Sequence, residues 1–296
     1  MNPGLFDGPE AILGVLDPPL RLGTSSWSSP DWKGSFYPRN APPGKFLEHY
    51  ARQYDLVECD ATFYATPAEQ TIANWKRRTP QGFLMASKLP REITHERGMV
   101  DCDELLLDHL RVMSGLEERL GPFVAQFAHL PARRDAEESR HGWNFIKRLA
   151  TFLEAWPSEL ELTVEVRNRG WIAEPLLELL REKGVGLVLP VYATMPDAAT
   201  LFSGPQPVTS DLVYVRFLGS HHEMDLLVER LIASGDRQGE WSELAVDRTD
   251  EMRQWARPLR ELAAAGNRVM TLFNNHYAGY APGSVEQFAK IWRELE

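Results

Sequence analysis

Residues 162–171 read Leu-Thr-Val-Glu-Val-Arg-Asn-Arg-Gly-Trp and set a carboxylate and a guanidinium two positions apart inside an otherwise apolar run. Glu165 can take or give a proton, and Arg167 can hold an anion through a two-pronged hydrogen bond. Successive side chains of a strand face opposite ways, so Thr163, Glu165 and Arg167 share one face while Leu162, Val164 and Val166 share the other. Asn168, Arg169 and Gly170 then stop the strand, and Trp171 opens a helical pattern. The two charges are therefore expected at the carboxyl end of a strand entering a helix, where closed α/β barrels build their sites.

The same alternation collects more polar residues at strand ends. Glu58, Asp60 and Thr62 share a face opposite Val57, Cys59 and Ala61; Lys88 ends a third strand, and Gln126 lies in a fourth. Tyr214 and Arg216 share a face, and Asn274, Asn275 and His276 end the last strand. Charged residues are almost never buried unless paired. An inward set of this kind either neutralises itself as a structural ion network or awaits a ligand. Convergence from five or more strand ends favours a site. His95, after Thr94 in the loop beyond the third strand, is within reach of the same mouth. His221 and His222 are adjacent on a loop and read as surface residues.

Eight strands are expected to position this set: 20–25, 56–61, 83–88, 123–128, the run beginning at 162, 185–189, 212–218 and 268–273. Helical spacing is expected over 46–53, 67–78, 103–120, 143–156, 173–183, 250–265 and 284–295, with Gly184 stopping the fifth of these. Strands alternating with helices, without an internal repeat, imply parallel pairing and right-handed crossovers. Eight such units close a TIM-type (β/α)8 barrel; a doubly wound open sheet is the alternative. Irregularity is expected around the sixth and seventh units, where 195–202 gives only a short helix. The 219–247 segment is long for a loop, and a helix over 224–233 suggests a lid over the mouth. Trp27, Trp32, Phe36 and Tyr37 crowd the loop after the first strand, either lining the site or covering the barrel end, with covering preferred. Residues 1–19 are expected to be a flexible segment and 20–296 one barrel domain.

A chain of 296 residues suits such a barrel, which takes about 250 residues with its helices. A formal net charge of -10 argues against a surface coated for non-specific nucleic-acid binding. Cys59 and Cys102 are too few and too far apart for a disulfide framework or a Cys-x-x-Cys metal site. No signal-like start and no apolar run near the roughly 20 residues of a spanning helix is present, so a cytoplasmic location without membrane contact is expected. The sequence leaves the oligomeric state open. Phosphate-cradling, His-Glu-x-x-His and Gly-x-Ser-x-Gly motifs are missing, and Gly184-Val185-Gly186 runs from helix into strand, the wrong order for a dinucleotide fingerprint. The strand ends carry one histidine, and its Lys and Arg neighbours repel a cation, so no tightly bound metal and no redox cofactor are expected.

With these residues assembled, the chain resembles the YecE-like family of barrels, known as domain of unknown function 72. The carriers are Gly23-Thr24-Ser25-Ser26-Trp27, Asp31-Trp32, Phe36-Tyr37-Pro38, Val57-Glu58, Thr62-Phe63-Tyr64, Lys88-Leu89-Pro90, Thr94-His95, Gln126-Phe127, Glu165-Val166-Arg167, Tyr214-Val215-Arg216 and Phe273-Asn274-Asn275-His276-Tyr277. The resemblance implies a TIM-type barrel and supplies no reaction. Cys59-Asp60 stands where the family more often has Ile-Asn, and Pro190-Val191-Tyr192 replaces a segment that frequently carries Asp.

The leading expectation is an enzyme acting by acid-base chemistry, as a hydrolase or isomerase, on a small polar anion such as a sugar phosphate or nucleotide fragment. Glu165 and His276 form the proton-transfer pair, with Asp60 as a second carboxylate. Substrate contacts are assigned to Trp27, Glu58, Tyr64, Lys88, His95, Gln126, Arg167, Tyr214, Arg216, Asn274 and Asn275. Two carboxylates across a barrel also fit glycoside hydrolysis. A nucleic-acid-binding or nuclease-like barrel, stacking bases on Trp27, Trp32, Tyr64 and Trp171, is the other class and is disfavoured by the acidic charge. A purely structural or partner-binding barrel is disfavoured because the mouth is so polar.

Overall fold

A computed structural model describes residues 16–129 and 137–295. Its strands are β1 (Leu20–Thr24), β2 (Leu56–Cys59), β3 (Leu84–Lys88), β4 (Leu120–Gln126), β5 (Leu162–Glu165), β6 (Gly186–Val191), β7 (Leu212–Phe217) and β8 (Arg268–Phe273). Each pairs in parallel with its sequence neighbours, and β8 pairs with β1, so the sheet closes as a barrel. The expected TIM-type barrel is therefore present, and the open sheet is not.

The helices are α1 (Phe46–Tyr50), α2 (Glu69–Arg78), α3 (Asp103–Met113), α4 (Glu137–Glu154), α5 (Glu174–Lys183), α6 (Ala198–Ser203), α7 (His221–Ser234), α8 (Thr249–Ala264), α9 (Asn275–Ala278) and α10 (Ala281–Glu294). Period-two alternation sorts the strand residues into two apolar layers. Leu56, Ala86, Val124, Val188, Leu212, Tyr214, Met270 and Leu272 form one cluster, the filling of the barrel. Val57, Cys59, Met85, Val164, Val166, Val215 and Phe273 join the larger cluster under the helices. Burying a Val, Leu or Phe side chain contributes roughly 1.5–3 kcal/mol, so the outer layer dominates the stability. The inner filling ends below Glu58, Lys88, Glu165 and Arg216, which continue the same inward faces.

Several boundaries differ from the expectation. β2 ends at Cys59, and Asp60–Phe63 turns into a 3-10 segment. Thr62 thereby leaves the face of Glu58 and donates its hydroxyl to the backbone oxygens of Cys59 (2.7 Å) and Lys88 (2.8 Å). α3 stops at Met113 because a 3-10 segment follows and Glu117 takes a positive φ of 53°, which frees Leu120 to open β4 instead of completing a helical stripe. β6 and β7 pair in unbroken register, and the register shift lies between β3 and β4. Gly184, at φ 65°, stops α5 as its sequence indicates. Of the 1–19 segment, residues 1–15 lie outside the described residues. Leu16 is buried, and the Asp17 and Pro18 carbonyls accept hydrogen bonds from Arg260 (2.8 Å) and the Trp292 indole (3.0 Å).

The long segment after β7 is helical from its start. The Ser220 hydroxyl accepts from the Glu223 backbone N–H, so α7 begins three residues before the expected 224. Arg237 then donates to the backbone oxygens of Gly239 (2.7 Å), Glu243 (2.7 Å) and Gly279 (2.8 Å). The Ala245 and Val246 N–H groups bond to the Ala278 oxygen. This strap is thus sewn to the turn that carries His276. Gly219 is the tightest point of the seam: it sits at φ 65°, and an added Cβ would lie 2.3 Å from the His276 oxygen. Gly219→Ala is expected to destabilise the protein by about 1–3 kcal/mol through overpacking and left-handed strain, read as a lowered urea midpoint at unchanged slope.

Candidate functional site

Three cations and three carboxylates meet at the carboxyl ends of the strands. Arg216, rising from the inner face of β7, is the centre. One terminal nitrogen donates to Glu165 Oε2 at 2.6 Å and the other to Glu58 Oε1 at 2.5 Å. Both carboxylates are 0% exposed and Arg216 is 2% exposed. The Tyr214 hydroxyl, one step lower on β7, donates to Glu58 Oε2 at 3.0 Å. Arg167 closes on Glu165 through its Nε, and Lys88 Nζ reaches Asp60 Oδ1 at 3.2 Å. Asp60 is also 3.9 Å from Arg216. The six charges sum to zero.

The two buried glutamates differ although they share one guanidinium. Burial works to raise the Glu165 carboxyl, but Arg167 and Arg216 overcome it and hold the group down to about 2. Burial pushes the Glu58 carboxyl up; Arg216 pulls it back, and Asp60 adds to the rise. Arg216 itself is held well above its ordinary value, burial being outweighed by Glu165 and Glu58. Glu165 is therefore a permanent anion, while Glu58 retains a proton more readily. Only the upper members reach solvent: Asp60, Lys88 and Arg167 side chains are 34%, 8% and 14% exposed.

The rim has two halves. On the β3 side, Lys88 lies 4.5 Å from the Phe63 ring centre and Arg167 lies 4.6 Å from that of Tyr192. His95, half-buried, stands edge-on to Phe63 at 5.0 Å with its Nδ1 2.8 Å from the Thr94 hydroxyl. Burial, then Lys88, Arg91 and Arg167, lower its pKa. On the β8 side, Asn274 Oδ1 accepts from both the backbone N–H of His276 (3.0 Å) and its Nδ1 (2.8 Å). The other ring nitrogen of His276 is 3.1 Å from Asp225 on α7. His221 stacks flat on His276, rings 4.0 Å apart and 2° from parallel, and Trp241 of the strap packs against His276 at 4.5 Å.

Of the expected site residues, Glu58, Asp60, Lys88, Glu165, Arg167, Tyr214 and Arg216 form one network, and Gln126 sits beside Glu165 in the β4–β5 register. Others stand apart from it. Trp27 packs edge-on to Trp75 of α2 at 5.2 Å. Asn275 Oδ1 is committed to the Trp32 indole (3.2 Å) and the Ala281 N–H (3.0 Å), so it braces the scaffold. Tyr64 is 74% exposed on the turn after β2. Sequence reasoning missed Phe63, Tyr192, Asp225 and Trp241; His221 is exposed as expected, but its stacking on His276 was not anticipated. One signal was available: Ser220-His221-His222-Glu223 is a capping box, which puts His221 in the first turn of a helix at the mouth.

Among the described residues no group of three or more His, Cys, Asp or Glu could hold a metal ion, and no helix is long and apolar enough to cross a membrane. A groove of about 920 Å3 between α2 and the 114–119 turn is lined by Ile72, Lys76, Arg77, Arg111 and Arg119. Lys76, Arg111 and Arg119 there pair with surface carboxylates, which leaves the mouth as the stronger candidate.

The family model described as protein of unknown function DUF72 matches residues 21–296. The chain is 29% identical over 219 residues to the UPF0759 protein YecE of Escherichia coli K12, covering 68% of this chain and 74% of that one. It is 23% identical over 282 residues to the UPF0759 protein YunF of Bacillus subtilis 168, covering 92% and 94%. The crystal structure of a DUF72 family protein from Thermotoga maritima superposes with a TM-score of 0.71 at 26% identity, covering 93% of this chain and 99% of that one. A DUF72 family protein from Enterococcus faecalis gives a TM-score of 0.65 at 22% identity, covering 93% and 95%.

Proposed function

Because the chain belongs to the family of DUF72 proteins, a premise that brings a barrel without a reaction, we propose that it is an enzyme acting by acid-base chemistry on a small polar anion at the barrel mouth. One observation carries this reading. The charges at the floor cancel; of its buried polar atoms without a hydrogen-bond partner, the oxygens Asp60 Oδ1 and Glu165 Oε1 lie against Lys88 and Arg167, and donors remain beside them. Arg167 meets Glu165 most closely through Nε, and its two terminal nitrogens make no hydrogen bond to a carboxylate among the described residues. The Ser25 hydroxyl at the end of β1 and Arg216 Nε are buried without a partner there. Donors left over at a neutral floor suit phosphate or carboxylate oxygens, and Arg gives them a two-pronged grip.

The roles follow from the protonation states. A carboxyl held at about 2 is a weak base at neutral pH, so Glu165 orients Arg216 and Arg167 and does not exchange protons. Asp60, the half-buried carboxylate beside Lys88, is the acid-base group of the network. The substrate is a small molecule and not a nucleic acid, since the chain carries a net charge of -10 and, among the described residues, Lys88, Arg91 and Arg167 are the cations acting on His95 at the rim.

Thermal unfolding with and without millimolar inorganic phosphate or a sugar phosphate tests this. Wild type is expected to gain about 2.7 kcal/mol at a hundredfold excess over Kd. Arg167→Met is expected to fold and lose that gain, because Glu165 retains Arg216. Absence of any ligand response in wild type, with every sugar phosphate tried, would remove the anion class.

A further inference from the structure

The stacked histidines over the mouth have no part in the network just described, and their geometry divides the labour between them. Asn274 Oδ1 is fixed as an acceptor by the His276 backbone N–H, so the Nδ1 of His276, 2.8 Å from the same oxygen, carries a hydrogen. The remaining nitrogen of that ring faces the Asp225 carboxylate at 3.1 Å, a contact that is favourable only when this nitrogen is protonated too. Two parallel imidazoles 4.0 Å apart do not both hold a charge comfortably. Any proton taken up by the pair therefore goes first to His276, which has an acceptor on each side. His221 has no hydrogen-bond partner of its own among the described residues and lies within electrostatic reach of Arg167, just past β5, and Asp60, just past β2.

We propose that His221 is the proton acceptor of the site, kept neutral by its stacked partner until an anion docks on Arg167. This rests on the reading of the mouth as an anion site. Burial, then His276, then Arg167 lower the His221 pKa in the empty site, while Asp225 and Asp60 act weakly the other way. The His276 pKa is lowered as well, burial outweighing the opposing pull of Asp225 and Glu240. An anion on Arg167 cancels one of the depressing charges and adds a negative one, which lifts His221 toward neutral pH when substrate is present. In the transfer, the substrate's X–H bond breaks with its electron pair left on the substrate, and the proton bonds to an imidazole nitrogen of His221. The resulting cation lies against His276 and is a ready acid, so the proton returns to product or solvent.

Histidine proton resonances of the whole protein, followed between pH 4 and 9, test the assignment. On acidification His276 is expected to titrate before His221. Inorganic phosphate is expected to raise the His221 midpoint by roughly one pH unit in wild type and not in Arg167→Met. His276→Asn is expected to raise the His221 midpoint without phosphate. If that variant fails to fold, the titration order in wild type decides, and the reverse order overturns the proposal. Phosphate that stabilises the protein in thermal unfolding but leaves His221 unmoved overturns the role of His221 while the anion site stands. Phosphate without effect on melting or midpoint overturns both.

Discussion

Arg216→Met is expected to unfold at a free energy about 3–5 kcal/mol below wild type at neutral pH. Among the described residues the guanidinium is the one cation that pairs with both Glu58 and Glu165, and all three are buried. Methionine fills a similar volume and so isolates the electrostatic part of the loss. Glu165 keeps Arg167, but Glu58 is left with the Tyr214 hydroxyl and its neighbour Asp60. Glu58, already raised, is raised further and takes a proton. The sign follows: a group with a raised folded pKa stabilises below its unfolded value and loses that contribution as pH rises through the folded value. The variant is therefore expected to recover part of its stability toward pH 5. Combining Arg216→Met with Glu58→Gln and Glu165→Gln removes the stranded charges and is expected to restore several kcal/mol. Urea unfolding of the single and triple variants at pH 7 and 5 checks this; a single variant within 1 kcal/mol of wild type would mean that Arg216 is not the strut described above.

Glu165→Gln has the second largest effect, with the opposite dependence on pH. The folded carboxyl is held at about 2 against an ordinary value of 4.5. A depressed folded value contributes stability above the unfolded pKa, on the order of 3 kcal/mol for a shift of this size. That contribution is lost as pH falls from about 4.5 toward 2. Wild type and variant should therefore differ by on the order of 3 kcal/mol at pH 7, and the gap should narrow by pH 3. Glu58→Gln should cost less than Glu165→Gln at pH 7, because burial and Asp60 already oppose the Glu58 charge. Equal losses from the two substitutions would contradict the asymmetry.

The barrel was legible because its signal is short-ranged. Most strands announce themselves by alternation and β6 by an unbroken apolar run, and β8 was expected and found at 268–273. The inward charges were legible for the same reason: Glu58, Glu165, Tyr214 and Arg216 needed only the parity of their strands. What parity cannot give is pairing across the barrel, so Arg216 read as an anion fork when its two terminal nitrogens were committed to glutamates 158 and 51 residues away. Thr62 was misplaced because β2 turns into a 3-10 segment one residue after Cys59, a boundary set by tertiary contacts to Lys88. His221 is exposed, as its sequence suggested, but its stacking on His276 depends on α7 meeting α9, a contact between elements no local pattern specifies.

The zero-sum floor also constrains how such a barrel diverges. A lone loss of Glu58, Glu165 or Arg216 strands a buried charge, so a lineage drifting at these positions passes through a less stable ancestor or changes several of them together. The exposed Tyr64 has no such tie. New specificities on this frame are thus expected to arise by exchange of rim residues around an inherited floor, with the floor itself replaced as a block.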